Sequence, residues 1–252
     1  MIVGSTKEDI ALEKRVSLTP ETAKNIIGLG LKVCIEKGYA NHLGIQDKEY
    51  INIGVEIKDS SQEVLSVCDL LIKVNCPSEK EISNLKEKII LIGMLNISKN
   101  KNQITEILKK KLNIFSLELL PRITRAQSMD VLSSQSNLAG YRAVIDCVSE
   151  FEKAVPMMMT AAGTVPAAKV LVIGAGVAGL QAIATAKRLG AIVSATDVRT
   201  ASKEQVESLG GKFLMVEQSE NMETASGYAK ETSSDYKKKQ AEMMQEALKK
   251  ND

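Results

Sequence analysis

Two periodicities alternate along the first 120 residues. Short apolar or β-branched runs stand at Met1–Gly4, Lys32–Glu36, Leu70–Val74, Ile89–Ile92 and Asn113–Leu117. Between most of them lie stretches with three- and four-residue apolar spacing and charged outer positions: Glu21–Leu29, Gln62–Val67, Glu79–Leu85 and Lys101–Lys110. Short continuous apolar runs fit strands buried on both faces, and the longer period fits helices that cover them. Thr19-Pro20-Glu21 supplies a capping hydroxyl followed by proline at the first helical position. Strands alternating with helices predict a parallel sheet with helices packed on it.

Residues 121–135, PRITRAQSMDVLSSQ, break the alternation and read as a polar loop, with Ser133 or Ser134 as the cap of the next helix. Leu138, Tyr141, Ile145, Val148 and Phe151 then mark one long helix over 136–153. The segment VPMMMTAAGTVPAAK is apolar and holds two prolines. It reads as a packed connection, with Met157-Met158-Met159 filling core space. A second series follows: KVLVIG as strand, GVAGLQAIATAKRLG as helix, AIVSATD as strand, KEQVESLG as helix with a glycine stop, and KFLMV as strand. SENMETASGYAKETSS has the composition of a mobile loop, and Asp235–Lys250 that of a charged helix.

The expected fold is therefore α/β: two Rossmann-like lobes with parallel sheets, an N-terminal one over 1–135 and a second over 136–252. A doubly wound nucleotide domain has about six strands. The second series supplies three, so the second lobe is expected to be incomplete at its C-terminus, as a split-gene product, a fragment or a decayed gene would be.

Composition narrows the function. Lys and Arg total 33 against 31 Asp and Glu, a net charge of +2. This balance excludes a strongly basic nucleic-acid binder and gives no electrostatic reason to expect a polybasic membrane anchor. Cys34, Cys68, Cys76 and Cys147 form no C-x-x-C pair, and His42 is the one histidine, so no zinc ligand set is expected. Reduced thiols in a cytosolic protein are the simpler reading. The opening MIVGSTKEDIALEKR lacks the basic start and apolar core of a signal peptide. Residues 170–186 form the longest uncharged stretch. It contains glycines and falls short of the roughly 20 residues of a membrane span.

The main chemical signal is Gly174-Ala-Gly176-Val-Ala-Gly179, which follows the strand VLVI and opens an apolar helix. Asp197 ends the next strand, 23 residues after Gly174. This context fits a dinucleotide fingerprint. Gly174 permits a tight turn, Gly176 lets backbone approach a pyrophosphate at the helix N-terminus, and Gly179 lets helix and sheet pack closely. Asp197 would accept ribose hydroxyls and repel a 2′-phosphate, favouring NAD(H); Arg199 is the competing signal, because a nearby arginine can serve NADP(H). A glycine turn without any ligand is the simpler alternative.

Arg122, Arg125, Gln127, Asp130, Ser133, Ser134 and Gln135 form a second cluster. It reads either as a solvated loop with a helix cap or as donors for an amide or pyrophosphate, with Asp130 positioning an arginine or a ribose. His42 sits in the turn GYANHLGI and is expected to be exposed or structural. No acid–base set is evident. Hydride transfer between two nicotinamide rings needs alignment rather than a general base, and suits this inventory better than amine or alcohol oxidation.

The stretches EKRVSLTPETAKNIIGLG, RITRAQSMDVLSSQSNLAGYRAV, VLVIGAGVAGLQAIATAKRLGAIVSATDVR and GYAKETSS resemble the NAD(H)-binding component, the alpha subunit, of proton-translocating nicotinamide nucleotide transhydrogenases. The N-terminal part also resembles alanine dehydrogenase. The first resemblance implies NAD(H) on this chain, in the cleft between two lobes, and direct hydride exchange with NADP(H) on a partner beta subunit. It further implies coupling to proton translocation through membrane-spanning subunits, a homodimer, and a peripheral place on the cytoplasmic face of a bacterial inner membrane. No nucleic acid, metal or direct membrane insertion is implied. Arg122, Gln127 and Asp130 match the catalytic loop that grips the nicotinamide half, together with Ile123, Thr124, Arg125 and Ser133. Val177 matches a contact in the glycine turn, and Asp197, Val198 and Arg199 match the ribose side. Gly227 and Tyr228 match a loop that closes over the nucleotide, and Gln240 a later contact. The alternatives are an alanine dehydrogenase-like enzyme and a nucleotide-binding fragment without turnover. In the first, Arg15 and Lys73 would hold the substrate, but Asn96 stands where that family has its catalytic histidine.

Overall fold

The apolar runs of the N-terminal region do lie side by side as parallel strands. A computed structural model describes residues 1–121, 123–216 and 234–252 and divides into two units, Met1–Asp130 and Val131–Asp252.

In the first unit, β1 (Ile2–Ser5), α1 (Pro20–Gly28), β2 (Lys32–Glu36), α2 (Asp47–Ile51), β3 (Glu56–Lys58) and α3 (Ser61–Val67) are followed by β4 (Leu70–Asn75), α4 (Glu79–Asn84), β5 (Ile90–Met94), α5 (Lys101–Lys109) and β6 (Asn113–Ser116). The strands pair in parallel in the order β3-β2-β1-β4-β5-β6, the doubly wound arrangement. Each sheet face carries its own core. Val33 and Ile35 join Leu18, Tyr39 and Tyr50 on one face, while Cys34 between them joins Leu65, Leu71 and Leu91 on the other, as the two-residue period of a strand requires. The Thr19 hydroxyl accepts the Thr22 N–H at 3.2 Å and caps α1 as its sequence predicts. Burial pushes the Cys34 and Cys68 thiols up, to about 11 and about 12.

The second unit holds α6 (Val131–Glu150), β7 (Met158–Thr160), β8 (Gly163–Val165), β9 (Lys169–Ile173), α7 (Val177–Arg188), β10 (Ile192–Thr196), α8 (Ser202–Ser208), β11 (Lys212–Leu214) and α9 (Ser234–Leu248). Its sheet has three parallel strands among the described residues, ordered β11-β10-β9. Val144, Ala175, Ile183, Val193, Ala195 and Val206 form its core. A Cβ placed on Gly140 would lie 2.0 Å from the Ala178 carbonyl oxygen, so α6 and α7 touch through that glycine.

Two expectations are corrected. The long helix begins at Val131, so Ser133 and Ser134 lie inside its first turn rather than at its cap; the Ser134 hydroxyl donates to Val131 O at 3.1 Å. Asp130, a residue type that itself favours the cap position, directly precedes the helix. The Met157-Met158-Met159 run is not core filler. It enters an antiparallel β7–β8 hairpin with exposures of 58%, 46% and 73%, because a two-stranded ribbon leaves its faces open unless another element covers them. Among the described residues, no helix is long and apolar enough to cross a membrane.

Candidate nucleotide-binding site

β9 delivers the chain into the glycine turn. Gly174 takes φ +93°, a conformation L side chains rarely adopt, and donates its N–H to Thr196 O at 2.8 Å. A Cβ on Gly179 would sit 1.8 Å from Gly174 O. The fold itself therefore demands these two glycines. Gly176 is different. Its φ of −76° suits any residue, and a Cβ there would meet only Arg199 Nη2, at 3.9 Å. Gly176 also caps α7 without any side-chain hydrogen bond, so the first-turn N–H groups of a twelve-residue helix open onto that space. Packing accounts for Gly174 and Gly179 and leaves Gly176 unexplained; a pyrophosphate resting on the turn fits the room and the donors.

Asp197 closes the other side. One carboxylate oxygen accepts the Ala175 N–H at 2.7 Å and Arg199 Nη2 at 3.0 Å. The other accepts the Arg199 N–H at 2.8 Å and its Nε at 2.9 Å. Burial alone would raise the pKa of Asp197, but the Arg199 and Ala175 hydrogen bonds hold it below the ordinary carboxylate value. Val198 and Arg199 are half-buried, and Val177 is exposed at the start of α7. The Ala175 donor escapes sequence reasoning, since an alanine advertises no main-chain bond.

In the first unit, Thr124–Met129 forms a short 3₁₀ turn anchored by buried Ala126. Thr124, Arg125 and Gln127 are exposed. Ile123, Gln127 and Asp130 are brought together on one small cavity of about 210 Å³. Ser133 is half-buried in the first turn of α6, and Gln240 is half-buried on α9. Arg122, Gly227 and Tyr228 lie outside the described residues.

Open α/β sheets bind ligands where the strand order reverses, which in the first unit is between β1 and β4. A crevice of about 450 Å³ lies there, lined by Glu8, Glu13, Lys73, Asn75 and Glu81 among others. The chain fills its own donors. Lys73 Nζ donates to Glu81 Oε1 at 2.8 Å, Thr6 Oγ1 at 3.1 Å and Lys7 O at 3.2 Å, which uses all three of its hydrogens. Glu8 accepts the Val74 N–H at 2.8 Å. Arg15 grips Glu13 through Nε at 2.8 Å and Nη2 at 2.6 Å. Asn96 takes φ +51° and donates its N–H to Glu118 at 2.7 Å, a backbone role suited to asparagine. His42 bonds Lys14 O at 2.8 Å on the surface, as its turn predicts.

These two sheets and their turn are those of a known oxidoreductase family. The model described as "Alanine dehydrogenase/PNT, N-terminal domain" matches residues 4–139, and "Alanine dehydrogenase/PNT, C-terminal domain" matches residues 143–252. The chain belongs to this family. Within it, the chain is 50% identical over 259 residues to the first part of NAD(P) transhydrogenase subunit alpha of Rhodospirillum rubrum, a match covering 100% of this chain and 67% of that one. The crystal structure of transhydrogenase from Sinorhizobium meliloti superposes with a TM-score of 0.82 at 50% identity, covering 86% of this chain and 64% of that one. Alanine dehydrogenase of Methanococcus maripaludis is more distant, 31% identical over 203 residues, covering 79% of this chain and 54% of that one. The chain thus spans about two thirds of the length of these two transhydrogenase relatives.

Proposed function

We propose that this chain is an NAD(H)-binding alpha-type component of a transhydrogenase, exchanging hydride with NADP(H) carried by a partner beta subunit. The observation that carries the reading is Gly176: a glycine its own fold does not require, beside helix N–H groups that lack a side-chain cap. NAD(H), when bound, supplies or accepts the hydride. Gly176 and the first turn of α7 hold the pyrophosphate, and Val177 borders it. Asp197, Val198 and Arg199 hold the adenosine ribose. Following the family pattern, Gln127 and Asp130, with Arg122, Ile123, Thr124, Arg125 and Ser133, orient the nicotinamide. Gly227 and Tyr228 close over it, and Gln240 adds a contact. No residue needs to move a proton at the reacting carbon, which accords with a single, surface-bonded histidine.

The self-paired crevice of the first unit supports this reading over amino-acid oxidation. A carboxylate substrate there would have to displace Glu81 from Lys73 and Glu13 from Arg15, and would meet Asn96 instead of a base. Calorimetric titration tests the nucleotide assignment: NADH should bind more tightly than NADPH, and equal or tighter NADPH binding overturns it. NAD reduction by L-alanine should be undetectable. Mixing the chain with an NADP(H)-binding component should yield hydride exchange. By the same family pattern, the assembly is a homodimer joined to membrane-spanning subunits that couple exchange to proton movement, peripheral on the cytoplasmic face of a bacterial inner membrane.

A further inference from the structure

The loop between β1 and α1 is tied down on both sides of a short apolar tip. Before the tip, Lys7 donates its N–H to Glu36 at 3.0 Å, and Glu8 accepts the Val74 N–H at 2.8 Å. The tip is one tight turn. The Asp9 carboxylate accepts the Ala11 N–H at 3.0 Å, and the Asp9 carbonyl oxygen accepts the Leu12 and Glu13 N–H groups at 2.9 and 2.7 Å. After the tip, Glu13 accepts Asn75 Nδ2 at 3.3 Å, and His42 donates to Lys14 O at 2.8 Å. A turn held at so many points presents its side chains in a fixed geometry. Leu12 is nonetheless 86% exposed, the most exposed large apolar side chain among the described residues, and Ile10 is 45% exposed. Exposed Asp9, Lys14 and Arg15 flank the pair in sequence. An apolar centre with a charged rim is the anatomy of a protein–protein contact, and a rigid one loses little freedom on binding.

The position of the tip says what it meets. The strands of this sheet are parallel, so the loops after β1, β5 and β6 all leave the same end. The 3₁₀ turn that carries Gln127 follows β6. Three strand spacings separate β1 from β6, roughly 14 Å. Ile97 after β5, and Leu119, Ile123 and Met129 after β6, are also exposed at that end. Hydride passes only between rings about 3–3.5 Å apart, so a second nucleotide carrier has to seat over the turn. A standard contact covers about 800 Å² per partner, a patch roughly 30 Å across, which reaches from the turn to the tip. We propose that the Ile10–Leu12 tip is an apolar anchor that docks the NADP(H)-carrying partner, a protein surface with a matching apolar socket. The exposed side chains after β5 and β6 continue the contact toward Gln127. This assignment rests on the transhydrogenase reading and adds to it a contact outside the nucleotide site.

The full 252-residue chain should be titrated with an NADP(H)-binding beta component. Hydride exchange gives the partner concentration for half-maximal rate, and light scattering without nucleotide gives the dissociation constant of the complex. Leu12→Asp should raise both by about tenfold or more, the scale of a lost interface anchor. The exchange rate at saturating partner and the NADH affinity should stay at parent values, and Leu12→Met should dock as the parent does. Leu29 is the control: it is 78% exposed and precedes β2, at the opposite end of the sheet, so Leu29→Asp should change neither constant. A Leu12→Asp chain that docks normally, or a Leu29→Asp chain weakened as much, overturns the proposal. A Leu12→Asp chain that loses NADH affinity in equal measure overturns it too, by assigning the tip to the nucleotide site. If the parent exchanges hydride in each of these cases, the transhydrogenase reading stands without the anchor. A parent chain that binds no partner removes both.

Discussion

Asp197 and Arg199 hold each other in a fork: two guanidinium nitrogens and the Arg199 main-chain N–H converge on the Asp197 carboxylate, and the Ala175 N–H completes the set. Four accepted bonds use the four lone-pair positions of a carboxylate. A ribose hydroxyl can enter only where the Arg199 guanidinium gives up a place, and that group already lies 3.9 Å from the Cβ position of Gly176. A displaced guanidinium is thus beside the turn assigned to the pyrophosphate. Asp197→Ala should weaken NADH binding by about 1–3 kcal/mol, the range for a hydrogen bond to a charged group, and should narrow the gap between NADH and NADPH. Calorimetry on both nucleotides measures it, and unchanged NADH affinity would remove Asp197 from the site.

The glycine turn separates packing from binding. Gly179→Ala forces a methyl into the Gly174 carbonyl and should cost about 1–3 kcal/mol of stability, as overpacking does. Gly176→Ala adds a methyl where only the end of Arg199 stands near, so stability should hold within about 0.5 kcal/mol. NADH affinity should nonetheless fall at least tenfold, because the methyl occupies the approach of the pyrophosphate. Urea midpoints and NADH titrations of both variants make the comparison; a Gly176→Ala protein that binds NADH normally would reduce the turn to a packing device.

Gln127 is exposed on the 3₁₀ turn and borders a cavity with Ile123 and Asp130. Its proposed task is to orient a ring rather than to anchor the nucleotide. Gln127→Ala should therefore lower hydride exchange, assayed with an NADP(H)-binding component, far more than it lowers NADH affinity. Equal losses in both would assign it to binding alone.

Much of this is legible in the chain. Buried parallel strands are near-continuous apolar runs, so β2 is readable at both ends, and Thr19 announces the start of α1. The fingerprint glycines are readable because their spacing carries their roles. Elements that hold by a few residues are not. β3 has one apolar residue, Ile57, between Glu56 and Lys58, and α2 spans a single turn whose capping pair, Gln46 and Glu49, is an unusual one. The start of α6 is ambiguous in sequence because its serines and Asp130 all suit a cap. The exposed methionines mislead because apolar composition says nothing about which element covers a hairpin. Gly140 and the Asp197–Arg199 fork depend on three-dimensional neighbours that spacing does not reveal.

Acid should loosen the first unit through Glu13. Hydrogen bonding to Arg15, working against partial burial, lowers the Glu13 pKa from 4.5 to about 2. A carboxyl whose folded pKa is depressed contributes stability that is fully present above its unfolded value, near 4.5, and is lost as pH falls through the folded value, near 2. Arg15 is partly solvent-exposed, and screening by water leaves a contribution of about 1 kcal/mol. Urea unfolding of the chain across that interval should show the decline, and Glu13→Gln should flatten its slope by roughly one proton's share while leaving the neutral-pH NADH affinity unchanged. A Glu13→Gln profile that parallels the parent over the whole range would mean that the Arg15 fork contributes nothing to folding.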